Sequence, residues 1–223
     1  MKKIDFQNDN YYHVYNRGVD KRKVFLEKED FVRFLVGMRE FNSVEPVGSL
    51  YMLNNSRRKE KTLDVYSGRR PTSKTVKLVE FVAYCLNDNH YHFILKQVTD
   101  RGVSEFMKRV GGGYTKYFND KYKRSGALFQ GRFKSVELES SDKIIQLSAY
   151  VNGNSKIHSY SKADEYCWSS NQDYLLKRSG TICDKEIVMQ HFSDIEEYRS
   201  LCDTIICETK EERVELANYL LEN

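Results

Sequence analysis

At 223 residues, 40% hydrophobic and 30% charged with a formal net charge of +4, the chain suits one packed domain plus an appendage. No apolar run approaches the ~20 residues a membrane helix needs, which argues against a membrane protein. The opening MKKIDFQNDNYYHV lacks the apolar core of a secretory leader, and the five cysteines form no CxxC pair, so reduced thiols in a cytoplasmic protein are expected.

In chain order, Tyr11 to Asn16 is rich in β-formers and predicts a first strand, closed by Arg17-Gly18. Phe31, Phe34, Leu35 and Met38 step at helical spacing and predict a helix over Glu29 to Phe41. Residues 43–77 hold both prolines and two basic runs, and read as an exposed insertion or basic loop. The apolar runs Val82 to Leu86 and Phe93 to Leu95 flank Asn87-Asp88-Asn89 and predict a β-hairpin. Its second strand opens His90-Tyr91-His92. Side chains alternate along a strand, so the two imidazoles share a face about 7 Å apart. That spacing suits one divalent metal, and it equally suits two polar residues near a strand end.

Thr99 or Asp100 is placed to cap a helix from about Gly102, with a stripe from Val103 to Tyr122. Gly111-Gly112-Gly113 interrupts that stripe. Either the helix kinks there or a backbone approaches a phosphate closely. Leu128 to Leu138 reads as a strand with Arg132 and Lys134 on one face. Ser140 or Ser141 caps a helix to about Val151, and Tyr150 and Asn154 share a face if it continues. One or two acidic helices close the chain. The expected class is α+β: a ferredoxin-like antiparallel sheet with helices packed on one face, plus a small C-terminal helical extension. Residues 1–178 form the main domain and 179–223 the extension.

Charge is unevenly placed. Arg101 to Lys134 carries nine Lys and Arg against two acids, while Asp184 to Asn223 carries eleven acids against four bases. A polyanion is the expected partner of the middle of the chain. Lys108, Arg109, Lys116, Arg124, Arg132 and Lys134 are candidates to bind it. Tyr114, Tyr117 and Phe129 are read first as core packing on the helix stripe, with stacking surfaces as the alternative. The acidic segment could fold back on the basic one and restrain it.

Several motifs together resemble the HUH single-tyrosine transposases, with the REP-associated tyrosine transposases as the nearest branch. They are YYHVYNRG at 11–18, NHYHFIL at 89–95, YTKYFN at 114–119, SGALFQGRFKS at 125–135, AYVNGN at 149–154 and WSSNQDYL at 168–175. The resemblance implies that His90, His92 and Asn154 hold Mg²⁺ or Mn²⁺ and that Tyr150 is the nucleophile. It also implies that Arg17 faces DNA. Asp88 stands where the family usually has Pro, Ser155 stands after Asn154 where it usually has Pro, and the glycine triplet is unusual.

The implied function is a metal-dependent single-stranded DNA transposase that cleaves and rejoins through a 5′-phosphotyrosine, at hairpin or palindromic sequences. Two alternatives stay open. One is a domesticated relative that only binds structured nucleic acid; the other is a phosphodiesterase using water. A monomer is expected, with a dimer as the alternative, and no membrane partner.

Overall fold

A computed structural model of the chain describes residues 5–45, 76–158 and 165–221, with side chains to 212. Four strands form one sheet: β1 (Tyr11–Arg17), β2 (Val79–Asn87), β3 (His90–Gln97) and β4 (Lys134–Leu138). Their order is β2-β3-β1-β4, with every neighbouring pair antiparallel. Alternation sorts β1 cleanly. Tyr12 and Val14 are fully buried on one face, and His13 and Tyr15 point to the other.

The α+β class and the antiparallel sheet are as the sequence predicts, but helices cover both faces rather than one. α1 (Lys28–Glu40) and α2 (Gly102–Lys121) bury Tyr12, Tyr91, Phe93 and Leu95. α3 (Ser141–Ile157) covers Ala83, Cys85 and Ile94 on the opposite face. The reason lies in β2 and β3, which are apolar on both sides and would otherwise expose one of them to water. A bulge between Phe81 and Ala83 turns both Val82 and Ala83 towards α3.

Three local expectations change. The segment 128–138 pairs as a strand only from Lys134, because Leu128 and Phe129 are successive residues buried in the same core and Gly131 has φ +71°. Neither Thr99 nor Asp100 caps α2 through its side chain. Arg101 at φ +57° leads into Gly102, whose ideal Cβ would lie 2.1 Å from the Leu78 carbonyl oxygen. α3 runs past Val151 to Ile157, with the Ser140 hydroxyl accepting from the Lys143 amide. The glycine triplet does not break α2.

α1 and α2 are joined at Asp30. Its buried carboxylate accepts from Lys121 Nζ at 2.9 Å, the Tyr117 hydroxyl at 3.0 Å and the Tyr122 hydroxyl at 2.8 Å. Burial alone would raise this carboxyl, and the hydrogen bonds from Lys121, the Leu26 amide and both tyrosines outweigh it and hold it below its usual value.

Beyond α3 come two short helices, α4 (Asn171–Tyr174) and α5 (Glu186–Met189), then α6 (Ile195–Leu221). α6 packs on α3, where the buried Tyr198 hydroxyl accepts from Asn152 Nδ2 at 2.8 Å. Its described part therefore lies on the sheet face away from the basic α2. The insertion expected at 43–77 falls outside the described residues apart from its ends, where the Val44 amide donates to Val76 O at 2.9 Å. Among the described residues no helix is long and apolar enough to cross a membrane.

Candidate active site

Four of the five histidines gather at one end of the sheet, on the face that α3 covers. Strand register does most of this. β1 sets Arg17 opposite His90, Tyr15 opposite His92 and His13 opposite Ile94. β4 sets Lys134 beside Tyr15 and Val136 beside His13. The His90 and His92 rings lie 5.2 Å apart between centroids and perpendicular, close enough to reach one ion. His158, at the end of α3, packs against His90 at 4.6 Å.

α3 brings the amide and the phenol. Asn154 is buried, with Oδ1 3.2 Å from His90 Nε2. One turn earlier, the Tyr150 ring meets His92 edge-on at 5.7 Å. Tyr150 is half-buried and also lines a cleft of about 410 Å³ with His13, Val136, Leu147 and Ile205.

Hydrogen-bond partners fix the His90 tautomer. Asn89 Oδ1 can only accept, so His90 Nδ1 carries the proton of their 2.6 Å bond. Asn87 Nδ2 can only donate, and it lies 3.0 Å from His90 Nε2 and 2.6 Å from Asn154 Oδ1. Nε2 and Oδ1 are therefore both acceptors, turned towards one point and bridged by an amide donor. Asn154 Nδ2 is buried without a partner.

This arrangement fits a divalent cation of the hard-to-borderline kind, held by imidazole nitrogen and amide oxygen. Among the described residues no three His, Cys, Asp or Glu converge to hold one. Such a site must draw on Asn154.

Two participants were not legible in the sequence as site residues. Asn87 looks like part of a turn; it is the last residue of β2 and is fully buried. His13 Nε2 lies 2.9 Å from His92 Nδ1. Burial lowers His13 to about 4, so it is neutral near pH 7. When His13 accepts, His92 Nε2 keeps its lone pair. Strand alternation was the one signal for His13, since Tyr12 and Val14 fix which way it points.

The expected DNA-binding residues divide. Arg17 and Lys134 stand beside the histidines, and Arg17 Nε is buried without a partner. Lys108, Lys116 and Arg132 line a separate cavity on the opposite face. Arg109 instead binds Glu105 at 2.9 Å and Ser43 O at 2.6 Å, and Arg124 closes the loop after α2 on Asn119 and Ala127. Tyr114 is core: its hydroxyl donates to Val24 O at 2.6 Å.

The two replacements of proline are accommodated. The Asp88 carboxylate pairs with Lys23 at 2.8 Å, and its carbonyl accepts from the amides of Val24 and Phe25. Ser155 lets α3 continue one more turn.

Residues 58–154 match the model of the family described as IS200-like transposases. No curated protein matches significantly. Among solved structures, one described as a REP-associated tyrosine transposase bound to a REP hairpin superposes with a TM-score of 0.51 at 12% identity. The match covers 82% of this chain and 93% of that one. At that identity the likeness is one of fold. The family match spans the histidine strand through to the end of AYVNGN, less than half of the chain, so what this chain has is a similarity to IS200-like transposases over that stretch and a shared fold.

Proposed function

We propose that this chain is a metal-dependent transposase that cuts and rejoins single-stranded DNA through a covalent bond from Tyr150 to a 5′-phosphate, next to hairpin sequences. The observation that carries this reading is Tyr150 lying edge-on to His92, one helical turn from Asn154, which shares a point in space with His90 Nε2.

A phosphodiester resists attack because its charge repels nucleophiles and its leaving group is poor. Mg²⁺ or Mn²⁺ held by His90, His92 and Asn154 would supply Lewis-acid polarisation of the scissile phosphate. The remaining work belongs to side chains. Arg17 and Lys134 bind the phosphates on either side, as their positions beside His90 and Tyr15 allow. α3 carries Tyr150 beside His92, from where its hydroxyl would attack the phosphorus. In the first step the Tyr150 Oη–P bond forms and the P–O3′ bond breaks. The phenol proton is balanced by protonation of the leaving 3′-oxygen. No water or ATP is consumed, so the bond energy stays in the phosphotyrosine, and another 3′-hydroxyl can reverse the step and join strands.

The acting unit is expected to be a monomer. Size-exclusion chromatography with light scattering checks this.

The test is a denaturing gel of the protein with Mn²⁺ and labelled hairpins taken from the DNA flanking its own gene, alongside Tyr150→Phe. An adduct that survives denaturation and vanishes in the variant is expected. Cleavage without an adduct would favour water as nucleophile; binding without cleavage would favour a DNA-binding role alone.

A further inference from the structure

The sheet face away from the histidines carries a second concave site. A cavity of about 730 Å³ opens between α2 and the 127–133 loop. Tyr91 and Phe129 contribute aromatic walls. Arg101, Lys108, Lys116 and Arg132 stand around it, and Arg132 reaches across to the Ser104 hydroxyl at 3.5 Å. Its one lining carboxylate, Glu105, is engaged by Arg109 at 2.9 Å, and Lys116 pairs on the exposed surface with Asp120 at 3.0 Å. The balance at the opening is cationic.

Two of the lining residues are Gly111 and Gly112, in the middle of a 20-residue helix. Each glycine there costs about 1 kcal/mol against alanine. The neighbouring Gly113 is explained inside the protein, because its Cβ would lie 2.9 Å from the Phe41 ring. Gly111 and Gly112 are not so explained: a Cβ at either would meet nothing within 4 Å. The protein's own packing does not require them, yet they form the wall of a cationic cavity. Bare helix backbone in such a wall admits a close approach by something outside the chain.

We propose that this cavity seats the sugar–phosphate backbone of the duplex stem of a DNA hairpin, with one strand running over Gly111 and Gly112 between Lys108 and Lys116. From 108 to 116 the helix rises about 12 Å, which suits successive phosphates of a strand better than one small anion. The inference rests on the DNA reading above and adds to it a place for the stem. Asn16 and Tyr91 line the cavity, while their strand neighbours Arg17, His90 and His92 belong to the other face. A stem held here leaves its single-stranded tail at the strand ends that carry the candidate active site.

The test measures binding of a labelled flanking hairpin by fluorescence anisotropy across a salt series, with thermal melting and Tyr150 adduct formation on the same samples. Gly111→Ala with Gly112→Ala should raise the melting temperature, because the methyls meet nothing in the free chain, and should weaken hairpin binding. Gly112→Leu should keep the fold and weaken binding about tenfold. Lys108→Gln with Arg132→Gln should lower the slope of log affinity against log salt by about two. Wild-type protein that binds hairpins and forms the adduct, with these variants binding equally well, would overturn this placement and leave the catalytic reading intact. Wild-type protein that binds no hairpin would overturn both.

Discussion

His13 shows how one half-buried side chain can set the chemistry of another. A histidine that ligates a metal must present a lone pair, and the partner of its other nitrogen decides which nitrogen that is. His13 is desolvated and neutral, so it can accept from His92 Nδ1 without adding charge beside a cation. Removing that partner typically lowers metal affinity 10–100-fold. His13→Ala should therefore weaken Mn²⁺ binding, read directly as free Mn²⁺ by electron paramagnetic resonance, within that range. His13→Gln, which can still accept, should restore part of the loss. Equal Mn²⁺ affinity in wild type and His13→Ala would remove His13 from the site's machinery. Asn87 acts at the same scale, donating to His90 Nε2 and Asn154 Oδ1 together and so holding them close.

α3 carries both Tyr150 and Asn154, and α6 fixes where α3 lies. They meet at Gly153, where a Cβ would fall 2.6 Å from Ile206 Cγ1 and 2.8 Å from its Cδ1. Gly153→Ala must push the helices apart or force Ile206 from its rotamer, at a cost of about 1–3 kcal/mol. Its adduct yield should fall as Tyr150 shifts against His92. Adding Ile206→Ala should return much of the stability lost, measured as a coupling in a double-mutant cycle by urea unfolding. Additive effects would show that the two helices do not meet there. This contact was not legible in the sequence. β1, the hairpin, α1 and α2 follow from local periodicity and the start of α3 from its Ser140 cap, and so did the shared helix face of Tyr150 and Asn154. The role of α6 did not, because an acidic amphipathic helix reads alike whether it sits on its own or packs on the site helix. Likewise Asn87 belongs by composition to a turn, and only pairing across β3 places it under Asn154. Pairing between distant strands has no local signature, so His13 and His92 became partners only once β1 lay beside β3.

At the scale of the whole molecule, the sheet separates two clusters of polar and charged side chains. One face holds the histidines, Tyr150, Arg17 and Lys134; the other holds the cationic cavity beside α2. Opposite faces of one sheet can be altered independently, because side chains that alternate along a strand do not touch across it. Arg17 is the sharpest probe of that separation. It ends β1 opposite His90, its Nε is buried without a partner, and its neighbour Asn16 points into the cavity. If Arg17 holds a phosphate of the strand to be cut, Arg17→Ala removes a contact made near the reacting bond and leaves the cavity on the other face unchanged. The rate of adduct formation at saturating hairpin should then fall about 10–100-fold, a transition-state loss of about 1.4–2.8 kcal/mol. Hairpin affinity should change by less than about threefold, since one phosphate contact among several is lost. Single-turnover gels paired with anisotropy titrations read the two quantities on the same protein. A variant that loses affinity and keeps its saturated rate would make Arg17 a residue of DNA binding rather than of the chemical step.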